Sequence, residues 1–305
     1  MTTNNDNYKF ENIEVSTKTF TAMTNLQINI KELFDFLPIT PYEVIPKKRG
    51  RKKKDEIKQV NQNIPWGSII TLKCEGKIKG VEIKTQKQKQ GRKQKWFRNS
   101  ITIIIILDKP INFKVCRNGT FQMTGCKSSK HAIECIKVTW DLIKNNPKLY
   151  NFTRNPDTLE CLFIPSMRNI DFSIGFLIDR EKLNNFMANQ KEFHCLLETS
   201  FGYTGVNIKI PLDKNIEEMK IIKLTYNDKN GWVKSDGIYK DYLNILSDKE
   251  QKNKLSAQRY NTFLVFHSGK IIMSGLTKEF MEDVFYYFIK TVINSRDLIE
   301  EKLIK

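Results

Sequence analysis

Histidine is scarce in this chain, with three among 305 residues, at 131, 194 and 267. Its six cysteines, at 74, 116, 126, 135, 161 and 195, include no CxxC pair. A zinc site of standard ligand spacing is therefore excluded, and no triad or metal constellation can be assembled from the sequence. The glycine-rich and nucleophile motifs GxGxxG, P-loop, GxSxG and HExxH are missing as well. These absences read as a protein that is not an enzyme, takes no cofactor and acts on no small-molecule substrate. The longest apolar run, Ile101 to Leu107, includes Thr102. It is far short of the ~20 residues a membrane helix needs, so it reads as a buried strand and no membrane partner is expected. The N-terminus carries no signal-peptide pattern. Reduced thiols in an intracellular compartment are the simplest reading of the cysteines.

Acidic residues are the other deficit. There are 34 Asp and Glu against 51 Lys and Arg, a formal net charge of +17. The surplus is concentrated. Residues 47–58 hold eight cations and two acids, residues 84–98 hold seven cations and none, and together they supply 13 of the 17 net charges. Such density points to a polyanionic partner, nucleic acid above all, with a pair of solvated loops as the alternative. Apolar residues make up 40% of the chain, enough for a sizeable core.

The chain repeats itself. NFKVCRNGTFQMTGCKS (112–128) lies opposite TFLVFHSGKIIMSGLTK (262–278) at an offset of 150 without a gap. Phe113/Phe263, Val115/Val265, Gly119/Gly269, Met123/Met273 and Gly125/Gly275 are identical pairs. Apolar alternation on both sides of Asn118-Gly119 or Ser268-Gly269 predicts two strands joined by a tight hairpin. A helix follows each hairpin. The first is capped by Ser128 or Ser129 and carries Ile133, Ile136, Trp140 and Ile143 on one face. The second is capped by Thr277 and carries Met281, Phe285, Phe288 and Val292. Upstream, LQINIKEL (26–33) lies opposite FLIDREKL (176–183) at the same offset, with Asn29 and Asp179 at helix N-cap positions. PWGSIITLK (65–73) is paired with YTGVNIKI (203–210) at an offset of 138. The division falls near 1–150 and 151–305. The first repeat carries basic insertions at about 44–62 and 82–98, and the second carries one at about 227–258.

A duplicated unit in which a strand–SG–strand–[ST]G hairpin runs into a long amphipathic helix resembles the TATA-box-binding protein family. FLVFHSGKIIMSGLTK (263–278) is the closest stretch, and DKPINFKVCRNGTFQMTGCK (108–127) is its weaker copy. The likeness covers most of the chain in outline and about 35 residues in detail, and it leans toward the divergent forms found in large DNA viruses. It implies an α+β fold: a tandem-repeat saddle of curved antiparallel sheet with helices on the convex face. It implies binding of A·T-rich duplex through the minor groove, with Phe wedges that kink the DNA. It also implies transcription initiation alongside a TFIIB-like factor and RNA polymerase machinery, in the nucleus, a viral replication compartment or the virion.

Carried over residue by residue, the resemblance places Phe266 at a wedge position, with Leu264, Ile272 and Ser274 on its face. The same face of the first hairpin shows Lys114, Cys116, Gln122 and Thr124. Cys116 stands where the family has a wedge Phe, and Lys114 and Gln122 replace apolar floor residues. Thr124 and Ser274 match hydroxyls that meet the groove. Tyr203 is the candidate for the second wedge of the second repeat. Trp66, Trp96 and Phe97 compete for that place in the first. On the first strands, Thr17 and Thr19 align with Met167 and Asn169, which keeps part of the family's pattern at Thr17 and Asn169. Phe266 has an ordinary core aromatic as its alternative reading.

PKKRGRKKK (46–54) resembles an AT-hook, with Arg49 and Arg51 reaching along a narrow groove. The same string fits a nuclear-localisation signal or a solvated loop. In KTQKQKQGRKQKWFR (84–98), Arg92 and Lys93 are candidates for neutralising phosphates. Two other functions compete with promoter recognition. One is an architectural or packaging protein that binds DNA without sequence preference, and the other is an interaction scaffold that has lost DNA binding.

Overall fold

The computed structural model describes residues 8–41, 64–81, 98–198 and 205–302. The described residues fall into two compact units. One takes Thr19–Ile164 with Ile222–Asp236; the other takes Met1–Lys18, Pro165–Ile221 and Gly237–Lys305. They are called here the first-repeat and second-repeat units.

The first-repeat unit is built from strands β1 (Val15–Thr24), β2 (Leu26–Ile28), β3 (Ser68–Cys74), β4 (Lys77–Gly80), β5 (Ser100–Ile106), β6 (Pro110–Cys116) and β7 (Thr120–Cys126). Helix α1 (Ile30–Phe36) precedes β3, and helix α2 (Ser129–Ile143) follows β7. Its antiparallel strands hydrogen-bond in the order β1-β7-β6-β5-β3-β4. The short strand β8 (Tyr150–Phe152) pairs with β2. The apolar faces of α1 and α2 and one side of these strands form a single core, in which Leu33, Ile136, Phe113, Met123 and Phe163 are buried.

The second-repeat unit contains most of β9 (Leu159–Ser173), helix α3 (Arg180–Ala188), β10 (His194–Glu198) and β11 (Gly205–Pro211). After an excursion come β14 (Tyr260–Phe266), β15 (Lys270–Gly275) and helices α6 (Lys278–Asn294) and α7 (Arg296–Ile299). Its strand order is β10-β11-β14-β15-β9. Its core is separate, with Phe263 stacked on Phe288 at 3.8 Å between ring centroids and Phe285 packed edge-on against Phe10 and Phe172. The helix faces expected from the sequence are the buried ones in both units.

The excursion holds β12 (Lys220–Asn227), β13 (Gly231–Ile238), α4 (Tyr239–Leu243) and α5 (Asp248–Ser256). Its β12–β13 ribbon pairs with Leu159–Phe163 of β9. There Tyr226 packs edge-on against Trp140, and Trp232 against Tyr226. The ribbon of the second insertion thus belongs to the first-repeat unit, which local sequence does not reveal.

The duplication extends to individual hydrogen bonds. Thr24 N–H donates to Gly119 O, and Ile174 N–H to Gly269 O. Ile28 donates to Arg117 O and Ile178 to His267 O; Asn29 donates to Leu149 O and Asp179 to Ile299 O. Each pair is offset by 150, as is the hairpin register: Lys114 faces Gln122 as Leu264 faces Ile272, and Asn112 faces Thr124 as Thr262 faces Ser274. Asn29 and Asp179 cap α1 and α3, their side-chain oxygens accepting from the N–H of Glu32 and Lys182. Gly119 and Gly269 both have positive φ, and a Cβ on either would fall 2.1–2.2 Å from a main-chain carbonyl, that of Leu26 or of Phe176.

Strand order corrects one sequence equivalence. β11 lies next to β14 as β5 lies next to β6, so 205–211 corresponds to 100–106, and β10 corresponds to β3. The expected match of 65–73 with 203–210 fails because short alternating apolar strands look alike wherever they stand in a sheet. Trp66, exposed in the turn before β3, is accordingly not the counterpart of a residue preceding β11. Trp96 and Phe97 lie outside the described residues.

Two predictions follow from the local geometry. Gly269→Ala should cost on the order of 2–4 kcal/mol, because strained φ and backbone overlap add together. Gly125 also has positive φ but open space around its Cβ position, so Gly125→Ala should cost only about 1 kcal/mol. Urea denaturation of both variants tests this, and equal losses would contradict it. Asp179 is held below the ordinary carboxylate range, chiefly by the Lys182 N–H. Its contribution is present above the unfolded carboxylate pKa and is lost as pH falls through the lower folded value. Asp179→Ala should therefore cost about 1 kcal/mol at neutral pH and much less in acid, whereas Asn29→Ala should show no such pH dependence.

Candidate nucleic-acid interface

In each unit the helices cover one face of the strands, so strand alternation sends the remaining side chains to the other face. In the second-repeat unit that open face is laid out by register. Leu196, Asn207, Leu264, Ile272 and Asp171 form one row across β10, β11, β14, β15 and β9. His194, Lys209, Thr262, Ser274 and Asn169 form the next. Phe266 ends β14, half-buried, opposite Gly205. The core-facing residues Phe263 and Val265 alternate with Leu264 and Phe266, so the core reading of Phe266 is not the one the fold adopts.

The corresponding face of the first-repeat unit is more polar. Lys73, Thr102, Lys114 and Gln122 form a row across β3, β5, β6 and β7, and Thr71, Ile104, Asn112 and Thr124 form the next. Ser100 and Cys116 face each other at its end. Leu264 and Ile272 of one unit thus stand at the positions of Lys114 and Gln122 in the other, and Phe266 at that of Cys116. Burial pushes the Cys116 thiol above its usual range against the opposing pull of Lys114, so it stays a neutral group.

Individual candidates differ in how free they are. Thr124 is exposed and donates to Asn112 O on the neighbouring strand at 3.3 Å. Ser274 is half-buried between Thr262 and Asn169. Thr17 is half-buried on β1, while its neighbour Ser16 donates to Asn169 O and to an Asp171 carboxylate oxygen. Asn169 and Asn207 each hold a buried side-chain oxygen without a hydrogen-bond partner among the described residues. Arg49, Arg51, Arg92, Lys93 and Tyr203 lie outside the described residues.

Sequence reasoning missed Asn207, Thr262, Lys73 and Thr102. Thr262 was within reach, since it lies two residues from Leu264 on the same face. Asn207, Lys73 and Thr102 depend on knowing which strands are neighbours. Among the described residues no group of three His, Cys, Asp or Glu side chains could hold a metal ion, and no helix is long and apolar enough to cross a membrane.

Comparison with known proteins adds relatives to this geometry. No family model matches the chain. It is 28% identical over 163 residues to a TATA-box-binding protein-like protein of Acanthamoeba polyphaga mimivirus, covering 44% of this chain and 42% of that protein. Over that part of its length the chain is similar to a viral TBP-like protein. It is also 30% identical over 208 residues to the uncharacterized protein 335L of Invertebrate iridescent virus 6, covering 65% of this chain and 61% of that one. The chain thus spans roughly two-fifths of the mimivirus protein and three-fifths of the iridescent-virus protein. Among solved structures it resembles the TBP of Methanococcus jannaschii, with a TM-score of 0.43 and 11% identity over 92% of this chain and 98% of that one. The fold is α+β, an antiparallel sheet with helices packed on it.

The carboxamide oxygens without a partner among the described residues carry a test. A buried polar atom without a partner costs about 1–3 kcal/mol, so a residue kept under that cost is kept for something other than stability. Asn207→Leu should leave the unfolding free energy from urea denaturation unchanged or raise it by up to roughly 1 kcal/mol. A loss well beyond that would mean the carboxamide is structurally bonded.

Proposed function

We propose that this protein is a divergent TBP-like protein that binds DNA, and that it binds and bends A·T-rich duplex through the minor groove in transcription initiation. The observation that carries the reading is the open face of the second-repeat unit. There a smooth apolar floor of Leu264 and Ile272 lies beside the hydroxyls of Thr262 and Ser274, with Phe266 at the strand end. Such a floor suits the minor groove of A·T pairs, whose edges offer acceptors and little bulk, and a ring at its rim can enter a deformable base step. Asn169 and Asn207 supply amide donors to the same acceptors. The charge runs at 47–58 and 84–98 add phosphate neutralisation, with Arg49, Arg51, Arg92 and Lys93 as contacts. A TFIIB-like factor and polymerase machinery are the partners this role needs, and the nucleus or a viral replication compartment is where it is exercised.

A second reading, an architectural protein without sequence preference, is favoured by Lys114 and Gln122 on the face of the first-repeat unit. Cationic and carboxamide floors grip backbone more than they read bases.

The discriminating measurement is binding to end-labelled A·T-rich and G·C-rich duplexes of equal length over a salt series, with energy transfer between the ends reporting bending. The proposal expects A·T binding to persist to higher salt with a bend, and Phe266→Ala to lose most of that bend. Equal binding of both duplexes, little bending and common dissociation as salt rises would support the architectural reading instead.

A further inference from the structure

Both hairpins border a hollow in their own unit: residues 116–118, 120 and 122 line one and their counterparts 266–268, 270 and 272 the other, while the remaining walls differ, 171–173 of β9 in the second-repeat unit and 26–27, 98–100 and 153 in the first. That of the second-repeat unit is lined by Phe266, Lys270 and Ile272, with the acidic Asp171 among them. That of the first-repeat unit has Cys116, Thr120 and Gln122 at those three positions, and encloses about 650 Å3. This is within the range of pockets that hold small ligands.

The chemistry of the first hollow is distinct. Arg98 and Arg117 both line it, no acidic side chain does, and neither guanidinium forms an ion pair among the described residues. Two cations in one concavity without a counter-ion among the described residues suit an anion. The setting of Arg117 is rigid: its N–H donates to Asn99 O at 3.0 Å and its carbonyl accepts from Ile28 N–H at 2.7 Å. Asn99 and Gln122 bring carboxamides that can donate to and accept from a base edge. Cys116 is a small side chain on the same lining.

We propose that the hollow of the first-repeat unit binds a nucleotide, with Arg98 and Arg117 on its phosphate and Gln122 and Asn99 on its base. The nucleotide is either free or part of a nucleic-acid strand, and the site does not depend on minor-groove recognition.

The test uses the full chain. Adenosine monophosphate, adenosine and inorganic phosphate are titrated by calorimetry, and a labelled A·T-rich duplex is titrated across a salt series. The variants are Arg98→Gln with Arg117→Gln, and Cys116→Phe, which fills the hollow without changing charge. Lys249→Gln with Lys252→Gln on α5 serves as the control of equal charge loss, and thermal melting checks folding. Arg117→Lys is a conservative second variant, should the double variant not fold. For a free nucleotide, the monophosphate saturates the wild type and adenosine does not. Binding then weakens at least tenfold in both pocket variants and several-fold in Arg117→Lys. For a strand nucleotide, the monophosphate does not bind. The slope of log affinity against log salt then falls by about one in the double arginine variant and not in the lysine control, since both arginines hold one phosphate at ~0.9 per phosphate neutralised. Cys116→Phe then lowers duplex affinity at constant slope. The proposal is overturned if the monophosphate does not titrate and the pocket variants match the lysine control on duplex. Loss of the DNA bend in Phe266→Ala reads the function proposed above, so the two can fail separately.

Discussion

Everything in each repeat hangs on one close approach. The hairpin glycine turns at positive φ and packs so tightly over the strand-to-helix segment that no Cβ fits between it and the carbonyl of Leu26 or Phe176. The glycine's own carbonyl accepts from Thr24 or Ile174, and the residue two before it accepts from Ile28 or Ile178. This lock ties the hairpin, which is local in sequence, to a strand and helix cap some 90 residues earlier. Once it is made, the hairpin's core-facing residues and the helix that follows it have a single way to pack. The hydrogen bonds of the two copies coincide at one offset because the lock leaves little room for drift.

What the copies share is skeleton, and what they have parted in is surface. Buried pairs such as Phe113/Phe263 and Met123/Met273 are unchanged, since a core packed to crystal-like density resists changes in volume. Residues of opposite parity on the same strands have diverged from Leu264, Phe266 and Ile272 to Lys114, Cys116 and Gln122. A duplicated fold can thus carry one more apolar and one more polar hairpin face without disturbing either core. The insertions follow the same logic. The β12–β13 ribbon adds a strand beside β9 and covers Trp140 with Tyr226, while Lys137 and Lys144 lie over the rings of Trp232 and Tyr226.

The sequence by itself determined the repeats, both glycine hairpins, the N-caps at Asn29 and Asp179, and the buried faces of α2 and α6. All of these are settled over a few residues, by the sign of φ, a side chain reaching the third N–H along, or a period of two or 3.6. It also placed Leu264 and Phe266 on one face and Cys116 and Thr124 on its counterpart, because parity along a strand needs no knowledge of neighbours. Only the tertiary structure decided that 205–211 corresponds to 100–106, that the ribbon at 222–236 belongs to the first-repeat unit, and that Asn207 lies beside Leu264. It alone brought Arg98 to the same hollow as Arg117. Those facts rest on which strands lie side by side, and pairings between distant strands are selected by the burial of the whole chain rather than by any short stretch of it.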